Sequence, residues 1–129
     1  GLKVKDAMSI AQKLYEAGKI SYMRTDDTDM SPEFLEELRC YVEATYGKAA
    51  YKGLRAKKTT GAITQNGHEC LRVTDTTLTP ELFAQKETNN LAVKVYTLIW
   101  QRTIASALPA AVIAETTYLI ENNKHLKRT

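Results

Sequence analysis

Twice in this chain a hydroxyl residue is followed by proline at the start of a helix-periodic apolar run, and this repeated signal constrains the fold most. The pairs are Ser31-Pro32 and Thr79-Pro80. A side-chain oxygen at the N-cap accepts a bond from a free backbone N–H, and proline suits the first helical turn because no partner is needed for its missing N–H. The spacing predicts a helix from 32 to Gly47 and a short helix through Leu82 and Phe83. The residues expected to be buried in the first of these are Phe34, Leu35, Leu38 and Val42.

Two further helices follow from three- and four-residue apolar spacing. The first is predicted over Val4 to Ala17, with Gly18 as its C-terminal cap. Its stripe consists of Val4, Ala7, Met8, Ala11, Leu14 and Tyr15. The second is predicted from Asn89 or Asn90 to Ala107, before Pro109. Its stripe consists of Leu91, Val95, Leu98, Ile99 and Arg102, and Tyr96 and Trp100 are expected in the core rather than as stacking platforms for bases.

The segments between the helices predict less regular structure. Ile20 to Arg24 is typical of a short strand or extended segment, followed by a turn over residues 25–29. Residues 48–67 lose the apolar period and predict a solvated basic loop. The β-branched tail from Ala114 to Ile120 predicts a strand, and Asn122-Asn123 a hairpin turn whose second strand is cut at the end of the sequence. The expected class is mainly α, with a short strand near residue 22 and a truncated hairpin.

Composition excludes several classes of protein. Of 129 residues, 43% are hydrophobic and 26% charged, which argues for one globular domain rather than disorder. A net charge of +3 is too weak to indicate a nucleic-acid partner by itself. No apolar run approaches the ~20 residues of a membrane span. Cys40 and Cys70 form no CxxC motif, and we assign them no redox role. Because the sequence opens inside a helix pattern, we expect it to be a piece of a larger protein.

Tyr22 and Arg24 are the residues in which we expect the chemistry to lie. Two positions apart in an extended segment, their side chains leave on one face. Phenol has a pKa near 10, so a nucleophilic tyrosine needs a nearby positive charge, a base or a metal. A guanidinium can also donate two parallel bonds to a phosphate. The spacing alone is equally compatible with a structural tyrosine and with an arginine paired to Asp26 or Asp29.

Several motifs in order resemble the type IA DNA topoisomerases. Residues 18–26, G-K-I-S-Y-M-R-T-D, are similar to the family's active-site segment G-x-I-T/S-Y-M-R-T-D-S, and residues 1–18 to the helix before it. Residues 66–75, N-G-H-E-C-L-R-V-T-D, are similar to its A-H-E-A-I-R-P-T-D stretch. The stretches L-T-P-E-L, Y-T-L-I-W-Q-R and A-S-A-L-P-A continue the resemblance, at residues 78–82, 96–102 and 105–110.

The resemblance implies roles for single residues. Tyr22 matches the tyrosine that attacks one DNA strand and holds its 5′ end, Arg24 the arginine on the scissile phosphate, and His68 a histidine of the same site. Asp26 is expected to orient its neighbours and, with Arg72, to belong to the DNA-binding set. Glu69 and Thr74 match further positions of the stretch. From their charge, Lys57 and Lys58 of the basic loop are expected to follow the DNA backbone, although a merely solvated loop fits equally well.

The resemblance also implies the whole-protein context. We expect residues 1–113 to be a catalytic-tyrosine helical domain with a catabolite-activator-like helix-turn-helix arrangement, and 114–129 to begin the strands of an arch domain. The intact enzyme would be cytoplasmic, associate with the nucleoid, cleave and religate single-stranded DNA, and relax negative supercoils without ATP. Magnesium would be held by a toprim domain absent here, with no metal in this chain, and the fragment alone would be inactive.

Departures from the family pattern keep alternatives open. Asp27 stands where the family usually has serine, Gly67 and Cys70 replace alanines, and Val73 replaces proline. The clustered Asp26, Asp27 and Asp29 could bind a cation, but turn hydrogen bonds explain them more simply. The alternatives are a non-enzymatic winged-helix or helix-turn-helix DNA-binding module and an interaction domain that has lost catalysis.

Overall fold

Four α-helices form the framework of the computed structural model, which describes residues 1–53, 68–109 and 115–120. They are α1 (Val4–Glu16), α2 (Pro32–Tyr46), α3 (Pro80–Lys86) and α4 (Asn90–Ala105), and a single 3-10 turn at Lys48–Ala50 follows α2. The mainly helical class expected from the sequence is confirmed. No helix in these ranges has the length and apolarity needed to cross a membrane.

The helix starts form as their capping residues predict. The Ser31 hydroxyl accepts from the Phe34 N–H at 3.2 Å, and the Thr79 hydroxyl accepts from the Leu82 N–H at 3.4 Å. Past the end of α1, Gly18 has a φ of +72°, the left-handed conformation that glycine adopts without steric cost. These local interactions place the helix boundaries within a residue or two of the predicted ones.

Two apolar clusters form the core, and α4 contributes to both. The first joins α1 and α3 to α4 and contains Ile10, Ala11, Leu14, Ile20, Val73, Phe83, Ala92 and Tyr96. The second joins α2 to the end of α4 and contains Met30, Phe34, Leu38, Val42, Ile104 and Ala107. The partly buried Trp100 packs against both clusters, so that the two halves of the core meet at α4.

The buried face of α4 differs from the predicted stripe. Leu91 is 42% and Leu98 67% exposed, and Arg102 is also exposed. Tyr96 is buried, as expected, and Ile104, which was not assigned to the stripe, is buried as well. The helix carries apolar residues around much of its circumference, so periodicity could not choose between the two faces. The contacts of α4 with α1 and α3 decide it.

The buried face of α1 also differs from its predicted stripe, but by fewer residues than that of α4. Val4 is 80% and Tyr15 42% exposed, whereas Ile10, which was not assigned to the stripe, is buried. Of the residues predicted to be buried in α2, Phe34, Leu38 and Val42 are buried and Leu35 is partly so.

In place of the predicted strands, the described residues contain one isolated β-bridge. Ile20 pairs with Val73 in antiparallel orientation, and neither segment is long enough to form a strand. Residues 115–120 are exposed and form neither helix nor strand. The predicted turn at Asn122-Asn123, the returning strand and His125 lie outside the described residues, as do Gly67 and most of the basic loop. The domain boundary at residue 113 and the catabolite-activator-like arrangement stay predictions.

Candidate active site

Tyr22 lies on a segment whose side chains alternate between exposed and half-buried. Tyr22, Arg24 and Asp26 are exposed, whereas Met23 and Thr25 between them are half-buried. The backbone bends at Met23 and Arg24, so the segment is not the regular strand that the sequence predicted. The phenol, which is 44% exposed, and the guanidinium of Arg24 both reach solvent.

The backbone of Cys70 holds both ends of this segment. Its carbonyl accepts a hydrogen bond from the Ser21 hydroxyl at 2.8 Å, and its N–H donates to the Asp29 carbonyl at 2.8 Å. The segment that carries Tyr22 is thus a loop closed at its base by one residue of the second motif stretch. Two fixed ends limit the conformations open to the residues between them.

Side chains inside the loop shape its second half. The Asp27 N–H donates to the Thr25 hydroxyl at 3.1 Å, and a carboxylate oxygen of Asp27 accepts from the Asp29 N–H at 3.0 Å. Asp27 is half-buried. The carboxylate that departs from the family pattern thus accepts a hydrogen bond within the turn.

The stretch from His68 to Thr74 lies against the Tyr22 segment along the β-bridge. The Ser21 N–H donates to the Arg72 carbonyl at 2.8 Å, and the Thr74 N–H donates to the Lys19 carbonyl at 3.1 Å. The Thr74 hydroxyl adds a bond to the Gly18 carbonyl at 2.7 Å. The two motif stretches, about 50 residues apart in sequence (51 between Ser21 and Arg72), are neighbours in space.

Val73 stands where the family has proline, and its backbone N–H, which proline lacks, needs a hydrogen-bond acceptor. The residue is fully buried, and its N–H donates to the hydroxyl of Thr103 on α4 at 3.3 Å. A buried N–H without a partner would cost free energy, so Thr103 is the compensation for this substitution. The stretch consequently rests on α4 at this point.

Arg72 is engaged with the protein itself. Its guanidinium makes a two-pronged contact with the Glu69 carboxylate, at 2.9 and 2.8 Å, and donates to the Val73 carbonyl at 3.1 Å. It also lies 3.8 Å from the ring centroid of Phe34, in cation–π geometry. The arginine therefore binds its own stretch to the first turn of α2.

Glu69 completes that link. Its carboxylate accepts from the backbone N–H of Ser31, the N-cap residue of α2. Burial, the largest influence, acts to raise the pKa of Glu69, but the bonds from Ser31 and Arg72 and the charge of Arg72 together outweigh it and lower the pKa below its usual value. The ionised carboxylate is thus the form that the fold favours.

An aromatic contact supports the Tyr22 ring. The ring of Tyr15, near the end of α1, lies with its centroid 5.1 Å from that of Tyr22, at an interplanar angle of 58°. Tilted rings at this separation attract each other. Tyr15 was predicted to belong to the apolar stripe of α1, but it makes this contact at the surface instead.

The site residues predicted from sequence fall into three groups. Tyr22, Arg24, Asp26 and His68 are exposed, and the first three share one segment. Arg72 is held in internal contacts, and Lys57 and Lys58 lie outside the described residues. Three residues of the site were not assigned from sequence: Tyr15, Ser21 and Thr103. The partners of Ser21 and Thr103 are 30 to 51 residues away in the chain, so no local pattern marks these two hydroxyls. Tyr15 was assigned to the apolar stripe of α1, and its contact with Tyr22 appears only in the folded chain.

No set of three His, Cys, Asp or Glu side chains within residues 1–53, 68–109 and 115–120 comes together as a metal site. Asp26 and Asp29 are exposed, and Asp27 serves the turn. Within the described residues, the three aspartates near Tyr22 are thus not gathered around one position as ligands of a single ion.

Comparison with known proteins matches the chain to one family over its full length. The family model described as DNA topoisomerase matches residues 1–129. The DNA topoisomerase 1 of Vibrio cholerae is 37% identical over 94% of this chain and 14% of its own length, and that of Pasteurella multocida is 34% identical over 97% and 14%.

A solved structure agrees with these sequence relatives. Full-length topoisomerase I from Thermotoga maritima superimposes with a TM-score of 0.68 at 34% identity, covering 84% of this chain and 17% of that one. The chain thus spans about one seventh of the length of the curated relatives it matches. It belongs to the type IA DNA topoisomerase family.

Proposed function

We propose that these residues serve, within a longer polypeptide, as the part of a type IA topoisomerase that cleaves and rejoins one DNA strand through Tyr22. The observation that carries the proposal is the pair of exposed side chains, Tyr22 and Arg24, two residues apart on a segment held at both ends. A segment fixed in this way positions a nucleophile beside a phosphate-binding group before DNA arrives.

The reaction is an exchange of ester bonds. The phenolic oxygen of Tyr22 attacks phosphorus and loses its proton, the bond from phosphorus to the 3′-oxygen breaks, and that oxygen leaves as a hydroxyl after gaining a proton. The 5′ end stays on the protein as a phosphotyrosine. Because one phosphodiester replaces another, the step needs no nucleotide hydrolysis, and religation is its reversal.

Neighbouring groups stabilise the phosphate. The guanidinium of Arg24 donates to its non-reacting oxygens, where negative charge grows in the transition state. His68 is a second donor to the phosphate, and Asp26 orients Arg24. The contacts of Arg72 support a role in holding the site together rather than in binding DNA directly, and Lys57 and Lys58 add non-specific attraction for the backbone.

The rest of the polypeptide supplies what the chain lacks. Toprim and arch domains would close against the side that carries Tyr22 and enclose single-stranded DNA, and magnesium would be held in the toprim domain. Strand passage through the gap would relax negative supercoils of cytoplasmic, nucleoid-associated DNA. A non-enzymatic DNA-binding module is not favoured, because the relatives bear the name DNA topoisomerase 1.

The first test replaces Tyr22 in the full-length polypeptide. Tyr22→Phe removes one oxygen and leaves the ring against Tyr15, so we expect binding of single-stranded DNA to persist and the covalent adduct to be lost. A labelled oligonucleotide, denaturing gels and the matched variant Tyr118→Phe, at a residue 81% exposed, provide the measurement and control. Adduct formation by the Tyr22→Phe protein would reject Tyr22 as the nucleophile.

A second test uses the 129 residues alone. We expect no relaxation of supercoiled plasmid, with or without magnesium, because the proposed metal site and most of the DNA groove belong to other domains. Gel electrophoresis of the plasmid topoisomers measures this. Relaxation by the purified chain, at a rate that tracks its concentration and is lost in Tyr22→Phe, would contradict the proposed division of labour.

A further inference from the structure

The hydroxyl of Ser21, the residue before Tyr22, occupies an unusual place at the end of the β-bridge. Ile20 and Val73 face each other, so in a regular antiparallel ladder the next pair, Ser21 and Arg72, would exchange two backbone bonds. One of these forms, from the Ser21 N–H to the Arg72 carbonyl. The Arg72 N–H instead donates to the Ser21 hydroxyl, at 2.8 Å.

The Ser21 hydroxyl is also a hydrogen-bond donor. It donates to the Cys70 carbonyl at 2.8 Å while it accepts from Arg72. A single side chain thus satisfies two backbone groups of the facing stretch and takes the place that the Ser21 carbonyl would have in a ladder. Pairing stops one residue before Tyr22, and the backbone is free to turn outward while its starting point stays fixed.

We propose that Ser21 is a positioning residue for the Tyr22 nucleophile: its hydroxyl ends the ladder and fixes the backbone from which the phenol projects. This inference rests on the proposed function of Tyr22 and adds a residue to it. Without the hydroxyl, the half-buried Arg72 N–H and Cys70 carbonyl lose their partners. The ladder then either continues toward Tyr22 or opens, and both changes move the phenol relative to Arg24.

Displacing a reacting group by about 1 Å costs up to ~10²-fold in rate. We therefore expect loss of the hydroxyl to slow cleavage by about 10- to 100-fold. Binding of single-stranded DNA before cleavage should change little, because the exposed Arg24 and His68 remain. Religation, which passes through the same transition state, should also slow.

The experiment compares Ser21→Thr with Ser21→Val in the full-length polypeptide. These side chains have nearly the same shape and differ in the hydroxyl, so any cost of the added methyl group is shared. Single-turnover cleavage of an end-labelled oligonucleotide gives a rate and an amplitude, and fluorescence anisotropy gives the affinity. Ser9→Ala, at an exposed position of α1, is the control for loss of a serine hydroxyl elsewhere.

The proposal expects Ser21→Thr to cleave near the wild-type rate and Ser21→Val to cleave at least tenfold more slowly. A variant that is merely less well folded would lose amplitude while the folded molecules react at the normal rate, so reduced amplitude with unchanged rate overturns the positioning role. Equal rates for the two variants also overturn it. If the wild-type protein itself forms no adduct, the proposed function of Tyr22 fails. That result differs from the two outcomes that overturn only the role of Ser21.

Discussion

At the scale of single residues, the tyrosine is held from two sides. The backbone before it is bound to Cys70 and Arg72 through Ser21, and its ring lies against the ring of Tyr15. Both rings are more than one-third exposed, so neither is part of the core. We expect the contact to act on the orientation of the phenol, because the ring of Tyr15 lies directly against it.

We expect Tyr15→Ala to slow adduct formation by about 2- to 13-fold, the rate equivalent of the ~0.5–1.5 kcal/mol that an aromatic pair contributes. Tyr15→Phe keeps the ring and should retain the wild-type rate. Single-turnover cleavage by the full-length polypeptide measures both. Tyr46→Ala, at another exposed tyrosine, should have no effect, and an unchanged rate for Tyr15→Ala would show that the ring contact is dispensable.

At the scale of elements, Glu69 joins the second motif stretch to α2. Its carboxylate accepts from the Ser31 backbone N–H and pairs with Arg72, whose guanidinium lies on Phe34 of the same helix. The Ser21 bonds attach the Tyr22 segment to this stretch in turn. The start of α2 and the site therefore share one set of charged and polar contacts.

The stability of this junction should depend on pH. Because the fold lowers the pKa of Glu69 from its ordinary 4.5, the carboxylate contributes stability that is present above pH 4.5 and is lost as the pH falls through the folded value. We expect Glu69→Gln to lower the free energy of unfolding by about 1–2 kcal/mol at pH 7. The difference from wild type should shrink toward pH 3.

Urea denaturation of the chain at several pH values measures this difference. Glu33→Gln is the matched control, since Glu33 is exposed in the first turn of α2 and lacks the Arg72 contact. A difference between wild type and Glu69→Gln that stays constant from pH 7 to pH 3 would contradict the role of ionised Glu69.

At the scale of the whole molecule, α4 connects the two halves of the core. Tyr96 stacks on Phe83 with ring centroids 4.2 Å apart and donates its hydroxyl to the Leu78 carbonyl at 2.6 Å. One turn later, the Trp100 ring N–H donates to the Thr76 carbonyl at 3.0 Å. The connection that follows the second motif stretch is thereby fixed to α4, and with it the support beneath the site.

Alkaline conditions should test this connection. Burial raises the pKa of Tyr96 to about 12, with a smaller contribution from Asp75. In the unfolded chain the phenol ionises near pH 10, so the unfolded state loses a proton first, and stability falls as the pH rises from about 10 to about 12. We expect Tyr96→Phe to weaken this dependence and to cost ~1 kcal/mol at pH 7, from the lost bond to Leu78.

The free energy of unfolding between pH 7 and pH 12 measures the effect. Tyr118→Phe is the control, since that ring is 81% exposed and stands outside both clusters. Identical alkaline profiles for wild type and Tyr96→Phe would show that another group is responsible.

The helices, their caps and the family could be predicted from the order of the residues. Ser31 and Thr79 predict where helices begin because an N-cap contacts an N–H only three residues away, so its partner is in the same window of sequence. The order of the motifs around Tyr22 and His68 indicated the family, which comparison with known proteins confirms. Each of these inferences depends on residues that are close in the chain or on their order.

Contacts between distant parts of the chain set which face of α4 is buried, how Ile20 pairs with Val73 and what Ser21 does. Leu98 belongs to the predicted apolar stripe, yet the contacts of α4 with α1 and α3 leave it exposed. The Ser21 hydroxyl bonds to groups 49 and 51 residues away, and no spacing rule covers such a distance. Periodicity reports the neighbours of a residue along the chain, whereas the tyrosine is positioned by groups that folding brings beside it.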